Sequence, residues 1–130
     1  MTKEEKIEYW LKTAEHDLNT AKGLFNIEHF DWCLFLSHLV LEKILKPYYV
    51  RNNNDIPHKI HDLVRLAEKV NLKLTEEQFR VLERANYFNM SARYPDEKLK
   101  FYQICTKDYT ELHFNEINNL YLWLKSNLKY

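Results

Sequence analysis

FDWCLFLSHLVLEKILK, residues 30–46, decides how the rest of the chain is read. Its apolar members Trp32, Cys33, Leu36, Leu39, Val40, Ile44 and Leu45 recur at helical spacing and cover more than half the circumference. A helix so apolar needs neighbours on most sides, which places it at the centre of a bundle. His38, Glu42, Lys46 and Tyr49 stand at i, i+4, i+8 and i+11 and draw one polar stripe through it. Pro47 lacks an N–H and carries a ring, so it should kink the helix near Lys43 to Lys46 or end it early. Tyr48 and Tyr49 argue for another turn, to about Arg51.

On the N-terminal side, Thr2-Lys3-Glu4-Glu5 has the form of a capping box and starts a helix at Lys3. Ile7, Trp10, Leu11, Ala14, Leu18, Ala21 and Phe25 then supply one buried face, ending near Asn26. On the C-terminal side, Asn52 to Pro57 reads as a loop, because Asn and Asp form turns and Pro57 disfavours helix at Ile56. A third helix carries Ile60, Leu63, Val64, Ala67 and Val70. Thr75-Glu76-Glu77-Gln78 is a second capping box and opens a fourth, with Phe79, Leu82, Ala85 and Phe88, before Pro95 stops it. Residues 95–105 read as a connector. Thr106 caps a last helix striped by Leu112, Ile117, Leu120, Leu124 and Leu128. The expected fold is all-α, an antiparallel up-and-down bundle of about five helices in one domain, residues 1–130.

Composition agrees with a folded helical chain. At 130 residues the length suits one sizeable core, and 45% hydrophobic with 15% aromatic residues argues against disorder. Gly23 is the single glycine, which excludes glycine-rich phosphate loops and disfavours strand hairpins. Lys+Arg and Asp+Glu balance at 19 each, so a nucleic-acid role needs a local patch rather than a general field. Cys33 and Cys105 form no CxxC pair, as in a reducing compartment, and Cys33 belongs to the core. The opening residues lack the apolar stretch of a signal peptide, and no run approaches a membrane span, so the expectation is a cytoplasmic protein without membrane contact. No cofactor is expected.

Two sets of polar residues can carry chemistry. On the fourth helix Asn86, Asn89 and Arg93 share a face with Leu82, and this stripe can meet that of His38, Glu42 and Lys46, with Glu42 pairing Arg93 or a neighbour. Partly buried polar groups need partners, so the meeting is read as a structural network of His38, Glu42, Asn86 and Asn89, or as a site. In the second set, His58, His61 and Asp62 start the third helix, where free N–H groups favour an anion, and Arg51 lies across the loop. The competing reading has Arg51 complementing its own helix end while the histidines cap and solvate. A metal at His58 and His61, to which Asp62 could add a carboxylate, lacks an evident third ligand of fixed geometry.

AEHDLNTAKGLF (14–25), FDWCLFLSHLVLEKILK (30–46), IHDLVRL (60–66) and ARYPD (92–96) together resemble the HEPN domain, the higher eukaryotes and prokaryotes nucleotide-binding family. Glu42, Lys43, Leu45 and Lys46 match its EKxLK signature, His61-Asp62-Leu63 its HDL, and Arg93-Tyr94-Pro95 its RYP. CTKDYTELHFNEINNLYLWLK is similar to its closing helix. The resemblance implies a bundle that often forms a homodimer and is encoded beside a minimal nucleotidyltransferase, in two-component or toxin–antitoxin modules. In its RNase branches it also implies a metal-independent motif, arginine, four to six residues, then histidine. There histidine manages a proton and arginine neutralises charge on the phosphate. Arg51 and His58 have that spacing but precede the family's usual place, near Arg93, after which no histidine occurs until His113. Leu36, His38 and Leu39 stand where relatives often have His and Gln-Gln.

The resulting expectation is a component that binds a nucleotide or phosphate, or a nucleotidyltransferase partner, through Lys46, Arg51, His58, His61, Arg93 and Tyr94. Alternatives are an endoribonuclease toxin using Arg51 and His58 on RNA, and a purely structural interaction protein.

Overall fold

The computed structural model describes residues 1–53 and 61–130, and six helices occur among them. Helix α1 (Lys3–Asn26) begins at the capping box: the Glu5 N–H donates to the Thr2 hydroxyl, and the Thr2 N–H donates to the Glu5 carboxylate, both at 3.1 Å. Ile7, Ala14, Leu18 and Ala21 face the core, at the spacing the sequence shows. The helix closes with the Ile27 N–H on the Gly23 carbonyl, and Glu28 takes a left-handed turn with φ 64°. So short a turn sends α2 (Phe30–Asn53) back antiparallel to α1.

Helix α2 runs through Pro47, which is buried, and touches each of the other five helices. Leu34, Leu41, Ile44 and Leu45 on it are fully buried. Further along, the Tyr48 hydroxyl donates to the Leu124 carbonyl of the last helix at 2.6 Å. Central placement therefore follows from the width of its apolar surface. Trp32 departs from that surface: it is 44% exposed, beside the last segment before the final helix.

Helix α3 (Leu63–Lys69) is shorter than the sequence implied. It starts at Leu63 rather than with the histidines, because the Asp62 side chain accepts the Val64 and Arg65 N–H groups as its cap. His61 precedes the helix, and the expectations for His58 and Ile60 lie outside the described residues. Helix α4 (Glu76–Ser91) has the second capping box, with Thr75 and Gln78 satisfying each other's backbone N–H.

The expected connector at 95–105 is instead a helix, α5 (Pro95–Ile104). Pro95 stops α4 and also begins α5, since proline at the first helical position loses no hydrogen bond, and Asp96 and Glu97 suit the positive end of the dipole. Only Phe101 of α5 is fully buried, packing against Phe88 and Tyr87 of α4. Helix α6 (Lys107–Asn127) starts at the Thr106 cap. Its stripe is shifted from expectation: Leu112 is 58% exposed, while Thr110, His113 and Phe114 turn inward with Ile117, Leu120 and Leu124.

Candidate functional site

The polar stripe of α2 ends up at a junction with the start of α3 and the C-terminal half of α4. Its centre is Glu42, whose side chain is 9% exposed. One carboxylate oxygen lies 3.3 Å from the Lys46 ammonium one turn on, and the other 3.4 Å from His61 Nδ1. Lys46 also sits 4.2 Å above the centre of the Trp10 ring from α1, a favourable place for a cation largely removed from water. Glu42 thus pairs Lys46 and His61 rather than Arg93.

Arg93 is exposed at the end of α4 and donates from Nε to the Asn89 amide oxygen at 3.0 Å. Among the described residues it meets no carboxylate. Asn86 has a different duty: its amide oxygen accepts the Leu63 N–H at 2.9 Å, and its amide nitrogen donates to Asp62 at 2.8 Å. The side chain therefore ties the start of α3 to α4. Tyr94 follows as the N-cap residue of α5, exposed and without a capping bond.

His38 lies beneath these groups, 1% exposed, and among the described residues neither ring nitrogen has a partner within good hydrogen-bond geometry. Burial pushes its pKa down to about 4, against the opposing influence of the Glu42 carboxylate and the His61 main chain; Arg93 and His61 add to the depression. The ring is neutral at neutral pH. The expected network of His38, Glu42, Asn86 and Asn89 is thus two linked sets, Glu42 with Lys46 and His61, and Asn86 with Asp62 and Leu63, over a histidine bonded to neither.

Of the residues expected to hold phosphate, the structure brings Lys46, His61 and Arg93 to this junction and leaves Arg51 elsewhere. Nine residues at ~100° each carry Arg51 roughly to the opposite side of α2 from Glu42. There its guanidinium lies over Tyr48 and donates to the Lys129 carbonyl at 3.3 Å and to Asn52 at 3.1 Å. It therefore bridges the ends of α2 and the C-terminal segment. His58 lies outside the described residues.

Sequence reasoning missed a second cluster between α4 and α6. Arg84 donates to Glu116 at 2.6 Å, and His113 Nδ1 is 3.4 Å from the other Glu116 oxygen. Burial and Arg84 lower the His113 pKa. The signal was available: Arg84 and Glu116 each occupy a flank of a core stripe, but nothing in one chain says that these flanks face each other. Larger clefts lie away from the α2–α3–α4 junction, one of about 460 Å³ between Lys22, Phe25, Lys107 and Phe114. Among the described residues no three His, Cys, Asp or Glu side chains converge as a metal site. No helix among them is long and apolar enough to cross a membrane.

The family model described as HEPN domain matches residues 7–127. Among solved structures, TT1696 from Thermus thermophilus is similar with a TM-score of 0.81 at 17% identity, over 95% of this chain and 98% of that one. ST0689, an archaeal HEPN homologue, has a TM-score of 0.68 at 20% identity over the same shares. At such identities the likeness carries the fold. No curated protein matches the chain.

Proposed function

Because the chain belongs to the HEPN domain family, we propose that it is the nucleotide- or phosphate-binding component of a two-protein module with a minimal nucleotidyltransferase, of the toxin–antitoxin type. The observation that carries the reading is Arg93. Its guanidinium is exposed, bonded to the neutral Asn89 and free of any carboxylate among the described residues; it and His61 both act on the buried His38 ring, and Tyr94 is its neighbour in the chain. A planar guanidinium without an internal anion is suited to a phosphate, which it can grip with two parallel hydrogen bonds. His61 adds a hydrogen-bond donor, and Tyr94 an exposed ring for a base. The module itself rests on family membership. Exposed Trp32, Leu99, Tyr102 and Ile104 on α2 and α5 supply an apolar flank with two aromatic rings that supports self-association as a homodimer.

Thermal unfolding with and without ATP tests the binding. A ligand held at about a hundredfold excess over its Kd stabilises the folded state by about 2.7 kcal/mol, a rise of several degrees that Arg93→Ala should lose. No rise with any nucleoside triphosphate sinks the reading in favour of a purely structural interaction protein. Incubation with total RNA in EDTA should leave the RNA intact. Cleavage lost in His58→Ala establishes the alternative, an endoribonuclease using Arg51 and His58, for which the engaged Arg51 side chain offers no support.

A further inference from the structure

We infer that Glu42 is an internal anion occupying the place a ligand phosphate takes at this junction, so that the free protein holds its own site closed. The inference rests on the phosphate-binding reading above and names how that site is regulated. Three hydrogen-bonding groups serve the junction, the cations Lys46 and Arg93 and the His61 ring, and they are not equivalent. Lys46 and His61 share one carboxylate, through separate oxygens at 3.3 and 3.4 Å, whereas Arg93 has only a neutral amide among the described residues. Glu42 is too buried to be screened by water as a surface carboxylate is, and Lys46, 14% exposed, is held between it and the Trp10 face.

A doubly bonded carboxylate and a phosphate edge present the same pair of oxygens to the same donors. A phosphate arriving from solvent meets Arg93 first. It reaches Lys46 and His61 only where Glu42 turns away, because two anions cannot share those donors without strong repulsion. Affinity in the resting protein is therefore set by Arg93 and opposed by Glu42. Anything that withdraws Glu42, such as a partner offering it another cation, raises affinity without adding a contact to the phosphate.

Titration calorimetry with inorganic pyrophosphate tests this on the wild type, Glu42→Gln and Glu42→Gln/Lys46→Met. Removing one opposing charge at contact range should tighten binding about tenfold in Glu42→Gln, and the gain should vanish when Lys46 is also removed. Binding in Glu42→Gln with none in the wild type also supports closure. Equal affinity in wild type and Glu42→Gln, or a gain that survives the loss of Lys46, overturns the inference and leaves the phosphate site standing. No binding in either overturns the phosphate reading and this inference together. Should Glu42→Gln fail to fold, NMR on the wild type decides. Saturating pyrophosphate should shift the Arg93 side-chain signal and leave the Lys46 ammonium unmoved; comparable shifts at both show that Glu42 excludes nothing.

Discussion

At the scale of single residues, EKILK shows how one short motif divides its labour. Lys43 leaves the stripe and reaches α1, where its ammonium meets Asp17 at 2.5 Å, so that AEHDL and EKILK touch in space. Leu45 enters the core, and Glu42 and Lys46 pair with each other at the junction. The polar stripe was legible because helical period reveals which residues share a face. Lys46, one turn on, was legible as a partner of Glu42 in the same way; His61 was not, since period says nothing about which side chain another segment brings opposite. His38 gives a test at this scale. Its folded pKa, about 4, lies below the ordinary 6.5, so below pH 6.5 the unfolded chain takes up a proton that the folded chain refuses. The stability that the neutral ring confers is complete above 6.5 and is lost as the pH falls towards 4. Chemical denaturation across that window should show the wild type losing up to about 3 kcal/mol more than His38→Gln. Parallel profiles for the two proteins contradict the assignment.

Among the elements, α1, α2, α4 and α6 were readable because each has a start signal or a long periodic face, and Thr2, Thr75 and Thr106 all cap where their sequence context says they should. The start of α3 is less legible, because the residues before a cap look like the helix itself, while Asp62 and the Asn86 side chain mark the true beginning. For α5 the difficulty is that proline reads as a stop and here is also a start. Ten residues that bury a single Phe101 have too little periodicity to show as a helix, and tertiary packing against Phe88 and Tyr87 makes up what pattern lacks. Phe101→Ala should therefore cost about 3–5 kcal/mol, and hydrogen exchange should accelerate first in residues 95–104. Uniform acceleration across all helices speaks against α5 as a separately anchored element.

For the whole molecule the organising fact is that α2 meets every other helix, so its core positions report on the entire fold. Leu45→Ala should lower stability by about 2–5 kcal/mol, whereas Leu112→Ala, at a position the sequence placed in the core and the structure exposes, should change it by less than about 0.5 kcal/mol. Urea unfolding followed by circular dichroism distinguishes the two, and similar losses refute the shifted register of α6. The same burial settles the behaviour of the thiols. Cys33 in the first turns of α2 and Cys105 closing α5 are both free and buried, and burial pushes both up to about 12. At neutral pH neither carries an appreciable thiolate, the form that attacks oxidants, disulfides and alkylating reagents. The intact fold thus keeps both thiols protonated and shielded, and thiol reactivity appears only when the start of α2 or the end of α5 opens.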